Sequence, residues 1–117
     1  MTDHADDSNN ADTETRDISD VPAVEIVTTV AVHLMTASAI KLGLGEVTEG
    51  HNPEDDKDLA EARILITSLA GLVKSAAPML GNAHAGPLRD GLKTLQEAFR
   101  EASDIPDAPG EGPGEKL

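Results

Sequence analysis

The chain contains no cysteine, tryptophan or tyrosine, and Phe99 is its single aromatic residue. Without cysteine there are no disulfides, no thiolate metal sites and no thiol nucleophile. Without aromatic side chains there is no stacking platform for a nucleic-acid single strand. Cations are scarce too: nine Lys and Arg stand against 22 Asp and Glu, a net charge of −13 over 117 residues. A chain this acidic repels phosphate backbones and anionic lipid surfaces alike. Neither direct nucleic-acid binding nor membrane binding is expected.

The charge is uneven. Residues 1–20 carry seven acids against Arg16, residues 104–117 carry four against Lys116, and the body, 21–103, is only −4. Residues 1–19 are polar and acidic, unlike a signal peptide, and cannot bury enough apolar surface to offset chain entropy. They are expected to form a disordered acidic tail. Residues 104–117, "DIPDAPGEGPGEKL", are dominated by Pro, Gly and acids and are expected to be extended or disordered. The domain is then 20–103. Residues 21–42 are long and apolar enough to suggest a membrane span, but Glu25, Thr28, Thr29, His33, Thr36, Ser38 and Lys41 interrupt the run. The expectation is a buried helix of a cytoplasmic protein.

Periodicity makes the body all-α, with three helices at about 21–42, 53–77 and 87–103. The β-branched stretch Val24 to Val32 makes a strand the rival reading, but strict alternation is absent. Asp20 is the expected cap of the first helix, with Pro22 in its first turn and Gly43 and Gly45 as its stop. Asn52-Pro53-Glu54-Asp55 marks a second start and Pro78 the matching end. Leu59, Ala62, Ile66, Leu69 and Val73, spaced 3, 4, 3, 4, form one seam. Gly71 is a candidate for a close helix crossing. After a loop, 78–86, Pro87 opens the third helix, where Leu88, Leu92, Leu95, Phe99 and Ala102 share a face.

Three helices in so short a body make a thin core, and aromatic area is missing from it. Yet the first helix is apolar around most of its circumference. Two neighbours within one chain leave part of that face wet. An intertwined or side-by-side oligomer, a symmetric dimer above all, is therefore expected, with the first helix at its centre and Ala31, Ala37, Ser38 and Ala39 permitting close approach.

Candidate chemistry is sparse. No pair among His4, His33, His51 and His84 has the i, i+4 spacing of a helical zinc site. His51 with Glu54, Asp55, Asp56 and Asp58 could collect a divalent cation weakly, but the cluster lacks the spacing of an EF-hand loop and reads better as a solvated helix start with acids at the positive end of the dipole. Glu25, Thr29, His33 and Thr36 fall on one strip of the first helix: the polar lining of a dimer seam, a small binding site, or an ordinary polar strip facing water or a neighbouring helix end. No catalytic set, cofactor motif or metal site stands out, so no cofactor is expected.

The stretches "VPAVEIVTTVAVHLMTASAIKLGL", "DLAEARILITSLAGLV" and "PLRDGLKTLQEAFREAS" followed by "GEGPGEK" resemble the actinobacterial branch of the domain of unknown function 1844 family, over about residues 16–116. Leu42-Gly43 and Gly81-Asn82 are similar to that family's turns after its first and second helices. Where members often place acids after the second turn, this chain has "AHAGP". The resemblance implies a short helical protein and adds no mechanism. The function expected is therefore that of a non-enzymatic oligomer acting through protein–protein contacts. The alternative is a small-ligand or metal-binding helical protein, and an enzyme ranks last.

Overall fold

The computed structural model describes residues 18–117. Residues 1–17, most of the expected acidic N-terminal tail, lie outside the described residues. The architecture is all-α: α1 (Ala23–Lys41), a 3-10 turn (Pro53–Asp56), α2 (Leu59–Leu80) and α3 (Asn82–Ala102). Among the described residues, β pairing is confined to one isolated bridge, Thr48 to His51. Helix α2 lies in the middle, packed on α1 on one side and on α3 on the other.

The start of α1 differs from expectation. Ile18 to Asp20 form a separate helical turn, and Pro22, not Asp20, is the cap residue, with no side-chain cap hydrogen bond. The cause is local: a residue before proline disfavours the helical region, so the chain breaks at Val21-Pro22. Pro22 O then accepts from Glu25 N at 3.0 Å. At the other end, Leu44 N donates to Ala39 O at 2.9 Å and Gly43 N to Ile40 O, the paired bonds of a glycine-terminated helix.

The second helix starts later than expected, at Leu59 instead of Pro53. Asn52 does cap, but it caps the 3-10 turn, its Oδ1 accepting from Glu54 N at 3.0 Å. Asp58 begins the α-helix proper, accepting from Glu61 N at 3.1 Å. Asp58 N also donates to Lys41 O at 2.7 Å, which ties this start to the end of α1. Two capping residues six positions apart compete, and the one anchored to α1 opens the long helix.

The expected end at Ala77 and the expected loop 78–86 are also corrected. Helix α2 runs through Pro78 to Leu80, and α3 starts at Asn82, with Pro87 inside it. Gly81 alone joins them, with φ 83° and ψ 158°, a region open essentially to glycine. Each proline lies within two turns of a helix end and removes a single ladder bond. The carbonyls freed, of Lys74 and Ala83, belong to exposed residues that water reaches. In return Ala85 becomes fully buried.

The core is Ala31 and Leu42 from α1 and its end, Ala62, Ile66, Leu69, Val73 and Ala77 from α2, and Ala85, Leu88, Leu95 and Phe99 from α3. The 3, 4, 3, 4 seam of α2 is thus its inward face, with Leu59 half-buried at the end. The close crossing lies elsewhere than at Gly71: a Cβ at Gly91 would stand 2.7 Å from Met35 Cε, so α3 meets α1 there.

The C-terminal segment departs furthest from expectation. Residues 104–117 are irregular, as their Pro and Gly content dictates, but they are not a free tail. They form a strap across α2 and α3. Asp107 is the first anchor: Arg63 Nη2 donates to its Oδ2 and Arg100 Nη1 to its backbone O, both at 2.8 Å. Pro113 is buried, and its carbonyl accepts from Gln96 Nε2 at 3.0 Å. Gly114, at φ 75°, lies so close to Ala70 that no Cβ fits between them. Composition alone missed this because it counts the segment's own apolar surface and not the groove that receives it.

Candidate interaction surface

At about 100° per residue, α1 carries two apolar seams on different sides. The inner one includes Ala31 and Ser38, both fully buried, with Leu34 and Met35 packed half-buried beside them. These small residues are thus spent on packing within the chain, although they were expected to serve close approach between copies. Ser38 Oγ donates to Leu34 O at 2.7 Å, which satisfies the buried hydroxyl.

The outer seam is Ala23, Ile26, Val30, His33, Ala37 and Ile40, spaced 3, 4, 3, 4, 3. Ile26, Val30 and Ile40, with neighbouring Val32, are each 40–50% exposed. This departs from the expected buried helix. By length and composition α1 and α2 could each cross a membrane, but a third of the most apolar window of α2 is buried, against 11% for α1. A helix this apolar and this exposed presents a continuous uncovered apolar face, and exposed apolar patches mark contact sites.

The strip Glu25, Thr29, His33 and Thr36 lies on this outer side, and all four residues are exposed. Thr29 Oγ1 donates to Glu25 O at 2.8 Å and Thr36 Oγ1 to Val32 O at 3.0 Å, so both hydroxyls are turned into their own helix. Their methyl groups are what they offer a neighbour. The four do not converge into one cavity. Glu25 and Thr29 border a shallow recess of about 340 Å³ with Val24, Thr28 and His84 of α3, whereas His33 and Thr36 stand outside it. The four share one side of α1, as their spacing dictates, and the apolar seam beside them was not legible in the sequence. The 3, 4 spacing was present, but in a helix apolar nearly all round it does not stand out until exposure separates the faces.

A second feature lies under the strap. A cavity of about 310 Å³ is lined by Lys93, Gln96, Phe99 and Arg100 of α3 and by Asp107 and Pro113 of the strap, among others. The Arg63 guanidinium lies 4.9 Å from the Phe99 ring centroid, a cation–π distance.

His51 Nε2 pairs with Asp56 Oδ2 at 2.6 Å. That hydrogen bond, then the charge of Asp56, raises the imidazole above its ordinary value of 6.5, with the charge of Asp55 adding to it. The acids of this turn thus hold the histidine. Among the described residues no group of three or more His, Asp or Glu is placed to share a metal ion.

The model of one family, described as a domain of unknown function (DUF1844), matches residues 23–101. The matched range holds α1, α2 and all but the last residue of α3, and it leaves the strap outside. No curated protein and no solved structure matches the chain. Two thirds of the sequence, with nearly all of the three-helix body, falls within that family's model: the chain belongs to the domain of unknown function 1844 family.

Proposed function

We propose that this is a non-enzymatic, cytoplasmic helical protein that works as an assembly through protein–protein contacts, with the outer face of α1 as its contact surface. One observation carries the reading: Ile26, Val30 and Ile40 repeat at helical-seam spacing and stand 40–46% exposed on a helix with few polar alternatives. A helix laid against that face is the recognition mode that apolar anchors recurring along one helix side, here at i, i+4 and i+14, suit. The acidic residues 1–20 add a salt-dependent attraction for a basic partner.

The test is capture from native lysate on the immobilised full-length chain, compared with Val30→Glu. The proteins retained by the wild type are expected to be lost from the variant. An identical retained set from both chains removes α1 from the function. A second reading, small-ligand binding, is favoured by the cavity of about 310 Å³ beneath the strap, which falls at the small end of ligand-site volumes. A thermal-shift screen of metabolites and metal ions that yields no stabilisation removes it.

A further inference from the structure

Resting on that reading, we infer that the occupant of the α1 outer face is a second copy of this chain, paired antiparallel about a two-fold axis near residues 31 and 32. The seam is self-complementary in that orientation. Ala23 falls opposite Ile40 of the partner subunit, Ile26 opposite the partner's Ala37, and Val30 opposite the partner's His33. Each layer then sets a smaller side chain against a larger one, the arrangement that fills a helix–helix seam without voids or overlap.

Parallel pairing does the reverse. Ala23 and Ala37 each meet themselves and leave gaps, Ile26 and Ile40 each meet themselves and crowd, and His33 meets a second imidazole. Charge decides in the same direction. Residues 1–20 hold seven acids against Arg16, a net −6, immediately before α1. Parallel copies bring two such segments to one end. Antiparallel copies separate them by the length of a 19-residue helix, about 28 Å, against a screening length of about 8 Å. The helix dipoles also oppose in this arrangement.

Leu44 and Ile18, both more than half exposed, lie just beyond the two ends of α1 and fall at matching ends of the antiparallel pair. They lengthen the seam. Even so, a strip about 28 Å long and about 10 Å wide is smaller than the roughly 800 Å² per partner of a stable interface. The dimer is therefore expected to dissociate in the micromolar range, as a reversible assembly does. Polar His33 within the seam costs affinity and restricts register, as polar seam residues do in coiled coils.

Because the chain has no cysteine, an introduced one is unique. Sedimentation velocity of the full chain, from about 1 to about 200 μM, is expected to show a reversible monomer–dimer equilibrium (a span chosen around micromolar dissociation). Ile26→Glu, which sets a carboxylate against the partner's Ala37, is expected to hold the chain monomeric with its helical circular dichroism intact, and His33→Leu to tighten the dimer about tenfold. For orientation, Ala23→Cys and Ile40→Cys protomers are mixed and mildly oxidised. A disulfide-linked dimer is expected from the mixture and from neither protomer alone. Self-linking of Ala23→Cys overturns the antiparallel arrangement. A monomer at every concentration overturns the dimer, as does a monomer that floats with phosphatidylcholine vesicles, which would make lipid the occupant. A monomer whose Val30→Glu variant still loses its captured protein overturns the dimer and leaves the interaction surface standing.

Discussion

Single positions in this chain act through backbone geometry and local charge more than through special chemistry. Gly81 is the sharpest case, since one residue at φ 83° and ψ 158° turns the chain from α2 into α3. Gly81→Ala is expected to lower stability by about 1–3 kcal/mol, the cost of forcing a side chain into that region. Urea unfolding should show a lower midpoint with an unchanged slope; an unchanged midpoint would show that the turn tolerates a Cβ. Leu69 is fully buried on the α2 seam, and Leu69→Ala is expected to cost about 2–5 kcal/mol by the same measurement. His51 supplies a pH signature. Its folded value is raised above 6.5 by Asp56, so the pair's stabilisation is complete below the unfolded value and fades as pH rises through the folded one. The thermal midpoint of the wild type should decline relative to His51→Asn as pH rises through that window. Parallel curves for the two proteins would rule the pair out as a contributor. The pair is solvent-exposed, so the effect is small.

At the scale of elements, the apolar seams of α2 and α3 were readable from spacing, because a 3, 4 repeat on a mixed helix has one interpretation. The boundaries were less readable. Pro78 was expected to end α2 and Pro87 to open α3, because proline disfavours helix interiors and is tolerated in a first turn. The local penalty is outweighed when the lost bond is solvent-exposed and the turn added to α3 carries Ala85 into the core. The strap was not readable at all. Its seat depends on Arg63 of α2 and on Gln96 and Arg100 of α3, which only the packing of α2 beside α3 brings to one groove. Gly114→Ala is expected to release it, since Ala70 leaves no space for a Cβ and the backbone is at φ 75°. Hydrogen exchange should then accelerate through residues 107–117 with α1 unaffected. Protection equal to the wild type would mean that Asp107 and Pro113 hold the strap unaided.

At the scale of the whole molecule, one chain leaves α1 with only two buried residues, Ala31 and Ser38, out of 19. A helix so apolar gains little from three-helix packing alone, so its remaining face is the surface on which assembly would add stability. Association linked to folding makes the thermal midpoint depend on concentration. The wild type is expected to melt higher at about 100 μM than at about 1 μM, a span set by micromolar dissociation, whereas Ile26→Glu melts at one temperature. A wild-type midpoint independent of concentration would count against self-association as a source of stability.

Composition and periodicity determined the helical class, the inward faces of α2 and α3, and the excess of apolar surface on α1. All three follow from side chains repeating at the helical period, which is a local property of the chain. Tertiary structure alone decided where the prolines stop mattering, where residues 104–117 come to rest, and which side of α1 remains exposed. Those outcomes depend on surfaces contributed by residues distant in sequence. The polar strip Glu25, Thr29, His33 and Thr36 stands between the two cases: its alignment was local and legible, but its exposure, and the outer seam it borders, emerged only when α2 and α3 covered the opposite face.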